Sequence, residues 1–176
     1  MCMRVSYWRL LLPLLAMLWL TASAADTEDP ADGIVGDWMV ESHDAVIRIQ
    51  RVGPEYQGRI VWQLHDTYGP EDGPELNGKP TTDRNNPDPA RRSQPMDGLL
   101  LIWGLHYDAG ARKWRDGYVY DSDDGHTYHC TIWLKDPEHL RLRGYMGISL
   151  FGGSTLWTRV HELPPAGTDR TNSVHS

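Results

Sequence analysis

The sequence predicts an all-β fold: an eight-stranded up-and-down antiparallel β-barrel with one long Pro-rich loop. Eight short runs rich in Val, Ile, Trp and Tyr alternate apolar with polar residues, which is the period of half-buried strands. Turn residues separate these runs, mostly over hairpin lengths, so successive strands are expected to pair antiparallel. Helical periodicity is nearly absent. A two-sheet sandwich is the alternative, but closure into a barrel is favoured because it removes exposed strand edges.

The predicted strands cover the ranges 34–40, 45–52, 58–64, 99–107, 114–120, 127–134, 140–145 and 155–160. Each has one apolar face; in the third range Ile60, Trp62 and Leu64 occupy alternate positions with polar residues between them. We expect the apolar faces to point into the barrel. A barrel of eight strands is just wide enough for side chains or for one small ligand.

Residues 1–24 have the three parts of a secretory signal peptide. Arg4 and Arg9 form a basic start, an apolar run covers residues 10–20, and Ala22-Ser23-Ala24 is a site for cleavage before Ala25. The apolar run is short for a hydrocarbon core of about 30 Å. The sequence therefore predicts an exported protein, periplasmic or secreted, whose mature chain has no transmembrane anchor.

The charge of the chain limits its partners. The formal net charge is −7, and it becomes −9 once residues 1–24 are removed, because that segment holds two arginines and no acid. An acidic domain repels phosphate backbones and anionic lipid heads, so no nucleic-acid partner is expected. Cys130 is then the last cysteine, which excludes an internal disulfide; we expect it to be a small buried side chain. No cofactor is predicted, and the oligomeric state stays open.

One barrel domain is predicted for residues 25–163, followed by a flexible tail at 164–176. Within the domain, residues 65–98 contain six prolines, too many for a central strand. A connection of this length is usually functional or disordered. Asp88 and Pro89 predict a short helical turn here, with Asp88 as its cap and Pro89 in the first position.

Several short motifs of this chain occur together in a known family. They are Gly36-Asp37-Trp38, Gly58-Arg59-Ile60-Val61-Trp62, Asn86-Pro87-Asp88-Pro89 followed by Arg92 and Pro95, Gly117-Tyr118-Val119-Tyr120-Asp121, Asp124-Gly125-His126-Thr127-Tyr128, Leu142-Arg143-Gly144-Tyr145 and Trp157-Thr158-Arg159. The chain resembles a family of exported bacterial proteins known only as a domain of unknown function, with a lipocalin-like, calycin-type barrel. The resemblance implies a secreted barrel and no established activity. The acidic, Pro-rich stretch 67–79 departs from the family's pattern and looks like an insertion.

Trp38 and Arg159 are predicted to form a structural pair. The first and last strands of a closed barrel are neighbours, so residues near opposite ends of the chain can meet. A guanidinium over an indole face gains about 0.5–2 kcal/mol and would seal the base of the barrel. The alternative is that Arg159 points into solvent.

The predicted ligand site combines an inward wall with a polar mouth. Period-two spacing and apolar alternation predict that the wall is made by Trp62, Tyr118, Tyr120, Tyr128 and Leu142. The 65–98 loop would act as a lid and bring Asp88, Arg91 and Arg92 to the mouth. Because an arginine fork suits a carboxylate or phosphate, the expected ligand is an amphiphile with an acidic head group. The alternative for these three residues is a structural turn, with Asp88 capping and Arg92 bonded to carbonyls.

No motif identifies a metal or a reaction. His126 and His129 are three residues apart, so on a strand they face opposite sides and cannot chelate together. The stretch 121–125 is similar to a calcium loop but lacks its spacing, which favours a hairpin turn. No nucleophile motif is present, so catalytic residues are unknown. A small-molecule-binding barrel is favoured; an isomerase, lyase or hydrolase using the 65–98 loop, and a structural envelope protein with a filled barrel, remain alternatives.

Overall fold

In the computed structural model, which describes residues 29–146 and 152–165, antiparallel strands close into a barrel. The eight strands in these ranges are β1 (Gly36–Met39), β2 (Ala45–Val52), β3 (Glu55–Gln63), β4 (Leu100–Asp108), β5 (Lys113–Asp121), β6 (His126–Asp136), β7 (His139–Tyr145) and β8 (Ser154–Val160). Each strand pairs with the next, and β8 returns to pair with β1. The predicted all-β, up-and-down barrel is therefore confirmed. The predicted signal peptide lies outside the described residues, as does the tail beyond residue 165.

The up-and-down order gives the barrel two different ends. The loops that follow β1, β3, β5 and β7 lie at one end, called here the upper end. The loops that follow β2, β4 and β6 lie at the lower end, together with the 3-10 helix Pro30–Ile34. The helices within the described ranges are short 3-10 turns, none with the length or hydropathy of a membrane span.

The 3-10 helix Pro30–Ile34 closes the lower end. The side chain of Asp29 caps it by accepting a hydrogen bond of 3.0 Å from the Ala31 amide. Ala31 and Ile34 are buried, and the Ala31 carbonyl accepts a hydrogen bond of 2.9 Å from Trp114 Nε1. Trp38 Nε1 donates to the Ile34 carbonyl at 2.8 Å. Both indoles thus bury their apolar area while satisfying their polar atom.

Trp38 and Arg159 form the contact that the sequence predicts. They are direct partners across β1 and β8, and the Arg159 guanidinium lies 4.2 Å from the centre of the Trp38 ring. The same guanidinium donates hydrogen bonds to the carbonyls of Gly33 (2.8 Å), Val35 (2.9 Å) and Pro137 (2.8 Å). The alternative in which Arg159 points into solvent is wrong. Arg159 ties the first strand, the 3-10 helix and the β6–β7 turn together.

Gly36 is required where β1 begins. Its φ is +136°, and a Cβ built there would lie 2.6 Å from Arg159 Nη1. A side chain at this position would therefore meet both backbone strain and the guanidinium that seals the barrel.

Inward side chains fill the lower half of the barrel. The buried core there includes Ile34, Trp38, Ile49, Tyr56, Ile102, Leu105, Trp114, Ile132 and Leu140. Cys130 lies among them with no exposed surface, as expected, and burial raises the pKa of its thiol to about 12. The predicted hairpin at 121–125 is also present as the turn between β5 and β6.

The register shifts at bulges or irregularities in several strand pairs, and two of these bulges change which face the site residues occupy. In β3, Ile60 pairs with Ile47 but Trp62 pairs with Val46, so Val61 is an extra residue. In β5 the register shifts between Trp114 and Gly117, where Asp116 has a φ of +62°. Each bulge turns the residues beyond it to the other face of the sheet.

Candidate ligand-binding cavity

A cavity of about 1210 Å³ opens at the upper end of the barrel. Its wall is made by inward side chains of the strands, which include Ala45, Ile47, Ile60, Leu101, Val119, Tyr128, Leu142, Thr155 and Trp157. Residues from all four upper loops surround the opening. The filled lower half forms the floor, so the cavity is a blind pocket and not a channel.

Gly144 leaves part of this space open. It pairs with the buried Cys130 and shares the inner face of β7 with Leu142. A Cβ built at Gly144 would lie at ordinary contact distance, 3.7 Å, from the Tyr128 Cβ and from Val119 Cγ1. A side chain here would fit the backbone and project into the cavity, so the glycine contributes volume.

Carboxylates dominate the charge around the opening. Glu41 and Asp44 come from the β1–β2 loop, and Asp121 and Asp123 come from the β5–β6 hairpin. The described lining residues include no Lys or Arg, and His65 is the one imidazole among them. These four acids are called the acidic rim below.

Asp123 lies at the rim beside other carboxylates. It is exposed to solvent, yet partial desolvation raises its pKa, and the charges of Asp121, Asp44 and Asp124 raise it further. The next carboxylate behaves differently: the Tyr128 hydroxyl and the His126 amide donate to Asp124 and hold its pKa below the usual range. The Tyr128 hydroxyl is thereby fixed at the rim while its ring forms cavity wall.

The 65–98 loop is fastened to the side of the barrel by a buried polar cluster. Asp83, whose exposed fraction is 1%, accepts hydrogen bonds from the Tyr120 hydroxyl (2.7 Å) and from Asn86 Nδ2 (2.6 Å). Desolvation, followed by the bond to Asp83, raises the pKa of Tyr120. The Asn85 side chain donates to the carbonyls of Ser122 and Asp123, at 3.1 and 3.0 Å. The loop thus supports the β5–β6 hairpin that carries half of the acidic rim.

Three of the five predicted wall residues lie at the cavity: Tyr120, Tyr128 and Leu142. Tyr120 only borders the opening: it pairs with Thr127 on the outer face of β5, contributes to the outer cleft and donates its hydroxyl to Asp83, so its predicted inward orientation is wrong. Tyr128 and Leu142 lie on inward faces of β6 and β7.

The inward orientation predicted for Trp62 and Tyr118 is corrected by the two bulges. Trp62 lies beyond the extra residue of β3, and its Nε1 donates to the Pro165 carbonyl at 3.2 Å. Tyr118 is 37% exposed and stacks on Trp103 and His129 of the neighbouring strands, with ring centres 5.8 and 4.9 Å apart. Neither side chain lines the cavity.

Asp88, Arg91 and Arg92 also lie away from the opening, in the structural turn that was the alternative interpretation. Asp88 caps the 3-10 helix Pro89–Arg91 through the Ala90 amide at 3.0 Å. Arg92 Nε donates to the Asn86 carbonyl at 2.8 Å, and Arg91 lies 3.6 Å from Asp88. Arg91 borders a separate outer cleft of about 400 Å³ between the loop and the β4–β6 face.

The acidic rim and Gly144 are the site features that sequence reasoning missed. A signal for the rim was present, because up-and-down order places the β1–β2 and β5–β6 loops at the same end of the barrel, and both loops are acidic. Gly144 had no such signal. Among the described residues, no three His, Cys, Asp or Glu side chains converge closely enough to hold a metal ion.

Comparison with solved structures gives a neighbour with the same fold. The chain is similar to protein HP1028 from the human pathogen Helicobacter pylori, described as belonging to the lipocalin family, with a TM-score of 0.58 and 18% sequence identity. The match covers 72% of this chain and 82% of that protein. At this identity the likeness shows the fold, which is a lipocalin-like barrel. No curated protein matches the chain significantly.

The strands that build the barrel also carry a family signature. The profile described as "Uncharacterized protein conserved in bacteria (DUF2147)" matches residues 36–159, from the first residue of β1 to the penultimate residue of β8. This range contains every strand of the closed sheet apart from its last residue. The chain belongs to this bacterial DUF2147 family.

Proposed function

We propose that the protein is a small-molecule-binding barrel that holds a partly apolar ligand in the upper cavity. The observation that carries this proposal is the cavity of about 1210 Å³, closed at one end and walled by aliphatic and aromatic side chains. Small-molecule sites are concave, mostly apolar and roughly 300–1,000 Å³ in volume, so a drug-sized or lipid-sized ligand fits. A structural barrel would instead be filled by its own side chains, as the lower half is here.

The layout of the cavity also supports an amphiphile. Apolar residues such as Ile47 and Ile60 lie in the wall, and polar groups lie at the rim. The acidic head group expected from the sequence has no such support. Arg91 and Arg92, the residues expected to bind it, are engaged in the loop, and the rim carries carboxylates instead. We therefore propose a ligand with an apolar body, and we no longer propose an acidic head group for it.

Export into the periplasm or beyond the cell is part of the same proposal. It rests on the basic start, the short apolar run and the small residues at 22–24. N-terminal sequencing of protein recovered from the host tests it: a mature chain starting at Ala25 supports export, and an intact Met1 contradicts it.

A titration with N-phenylnaphthylamine, an apolar dye that is uncharged at neutral pH and brightens in apolar surroundings, tests the binding function. We expect saturable binding to the wild type. Gly144→Leu should weaken binding by about tenfold or more, because the new side chain occupies the cavity and displaces ligand contacts worth about 1.4 kcal/mol or more.

Gln50→Leu is the matched control, since it adds a leucine to the exposed outer face of β2. It should bind the dye as the wild type does. If the wild type shows no saturable binding, or if Gly144→Leu and Gln50→Leu bind it equally well while both remain folded by circular dichroism, the cavity is not the binding site.

A further inference from the structure

Within the part of the chain that the structure describes, the rim carboxylates face the opening without compensating cations. None of the ion pairs among the described residues involves Glu41, Asp44, Asp121 or Asp123. The Asp44 carboxylate accepts a hydrogen bond of 2.6 Å from Ser42, and that of Asp121 accepts one of 3.0 Å from the Asp123 amide. Both bonds are local to their loops, so the negative charge is not neutralised.

The basic side chains of the nearby 65–98 loop are held elsewhere. Arg84 pairs with Asp72 and lies 5.0 Å from the Tyr68 ring centre. Arg91 and Arg92 bind within their own turn. An anionic head group would thus meet four carboxylates at the opening and no arginine or lysine among the described lining residues. Like charges at short range are repulsive, whereas a cation there gains attraction to several carboxylates at once.

Aromatic rings also lie in the wall of the cavity. Tyr128 and Trp157 form part of the cavity surface, and the Tyr128 hydroxyl donates to Asp124 beside the rim. The face of such a ring attracts an ammonium group, particularly where water is partly excluded. The rim acids do not converge on one point closely enough to chelate a metal ion. An organic cation, which needs attraction over a wider area, fits this arrangement better than a metal.

We propose that the ligand of the upper cavity is a cationic amphiphile, with an amine or substituted ammonium group at the acidic rim and an apolar body against the inner wall. This inference rests on the proposed binding function and names the chemical class of its ligand. The rim selects the ligand by charge, and the wall contributes affinity through the burial of apolar area.

Decylamine, decanol and decanoate test the inference, because they share one chain length and differ in the charge of the head group. Each is titrated below its critical micelle concentration, and binding is followed by displacement of N-phenylnaphthylamine. We expect decylamine to bind about tenfold more tightly than decanol, and decanoate to bind more weakly than decanol. Added salt should weaken decylamine binding and leave decanol binding nearly unchanged.

A pair of double variants assigns the selectivity to the rim. Asp44→Asn with Asp123→Asn removes two rim charges, whereas Asp116→Asn with Glu75→Gln removes two exposed charges that do not line the cavity. The rim variant should lose the preference for decylamine and keep its affinity for decanol. The control variant should keep both, which separates local contacts from the net charge of the protein.

The outcomes separate this inference from the proposed function. Equal binding of decylamine and decanol, or tightest binding of decanoate, overturns the cationic ligand and leaves a binding barrel in place. The same holds if calcium chloride alone saturates the rim and blocks decylamine, since a metal would then be the preferred cation. If the dye and all three amphiphiles fail to bind, the binding function fails and this inference fails with it.

Discussion

Arg159 makes four contacts with one guanidinium group. It covers the Trp38 ring and donates to three backbone carbonyls that come from the 3-10 helix, the residue before β1 and the β6–β7 turn. A lysine could not replace this planar fork, because its ammonium is a compact point charge. The glycine at position 36 is explained by the same group, because a Cβ there would touch it.

Replacing Trp38 by alanine should destabilise the protein by about 3–5 kcal/mol, since a fully buried indole leaves a large cavity. Arg159→Ala should cost about 1–3 kcal/mol, because its carbonyl partners lose their donors. The two losses should be non-additive by about 0.5–2 kcal/mol, which a double-mutant cycle in urea measures. Strictly additive losses would contradict an energetic contact between the two side chains.

Asp123→Asn should stabilise the protein at neutral pH by about 0.2–1 kcal/mol, the usual range for exposed charge interactions. The folded state raises the pKa of Asp123, so the ionised carboxylate is disfavoured on folding and its cost is present above that pKa. The cost vanishes as pH falls and the carboxyl group is protonated in both states. Urea denaturation at neutral and at acidic pH measures the difference.

Asp116→Asn is the control for this experiment, since Asp116 is exposed and its φ of +62° suits asparagine equally well. A stabilisation by Asp123→Asn that persists at a pH below the ordinary aspartate pKa would show that charge is not its cause. The same would follow if Asp116→Asn stabilised the protein as much.

At the scale of elements, the 65–98 loop supports the β5–β6 hairpin through hydrogen bonds. This support is called the brace below. The buried Asp83 of the loop bonds Tyr120 of β5, and Asn85 of the loop bonds the hairpin backbone. Gly125 in that hairpin must be a glycine: its φ is +74°, and a Cβ would lie 2.2 Å from the Asn85 carbonyl oxygen. The Asn86-Pro87-Asp88-Pro89 motif shapes the turn that completes the brace.

Tyr120→Phe should loosen this brace at a cost of about 1–3 kcal/mol, because the buried Asp83 carboxylate loses a donor. Tyr118→Phe on the same strand is the matched control, since no hydrogen bond of its hydroxyl is found among the described residues and it faces solvent. We expect limited proteolysis to cut residues 65–98 faster in Tyr120→Phe alone. Equal cleavage of both variants would refute the role of the Asp83–Tyr120 bond.

The sequence predicts the strands well and their faces less well. All eight predicted ranges overlap the observed strands, because alternation and turn chemistry are local signals. The orientation of Trp62 and Tyr118 depends instead on single extra residues at Val61 and near Asp116. Such bulges arise from the closure of the barrel and from packing across strands, which no run of residues shows by itself.

At the scale of the molecule, the two ends of the barrel differ in role. The lower end is plugged by residues 30–34 and Arg159, and the upper end is open and acidic. The rim joins residues more than 75 positions apart in the chain, such as Asp44 and Asp123, so its charge is not apparent from any one motif. Because the closed sheet places the β1–β2 loop and the β5–β6 hairpin at the same end, their carboxylates together form the acidic rim.

The central claim is that the upper cavity is the ligand site, and photolabelling tests it most directly. The purified protein is irradiated with an uncharged alkyl diazirine, with and without excess decanol, and labelled peptides are identified by mass spectrometry. We expect labels on inward residues such as Ile60, Leu142 and Trp157, and their loss when decanol competes. Labels confined to the outer face around Trp103 and Tyr118, or labels that decanol does not reduce, would contradict the claim.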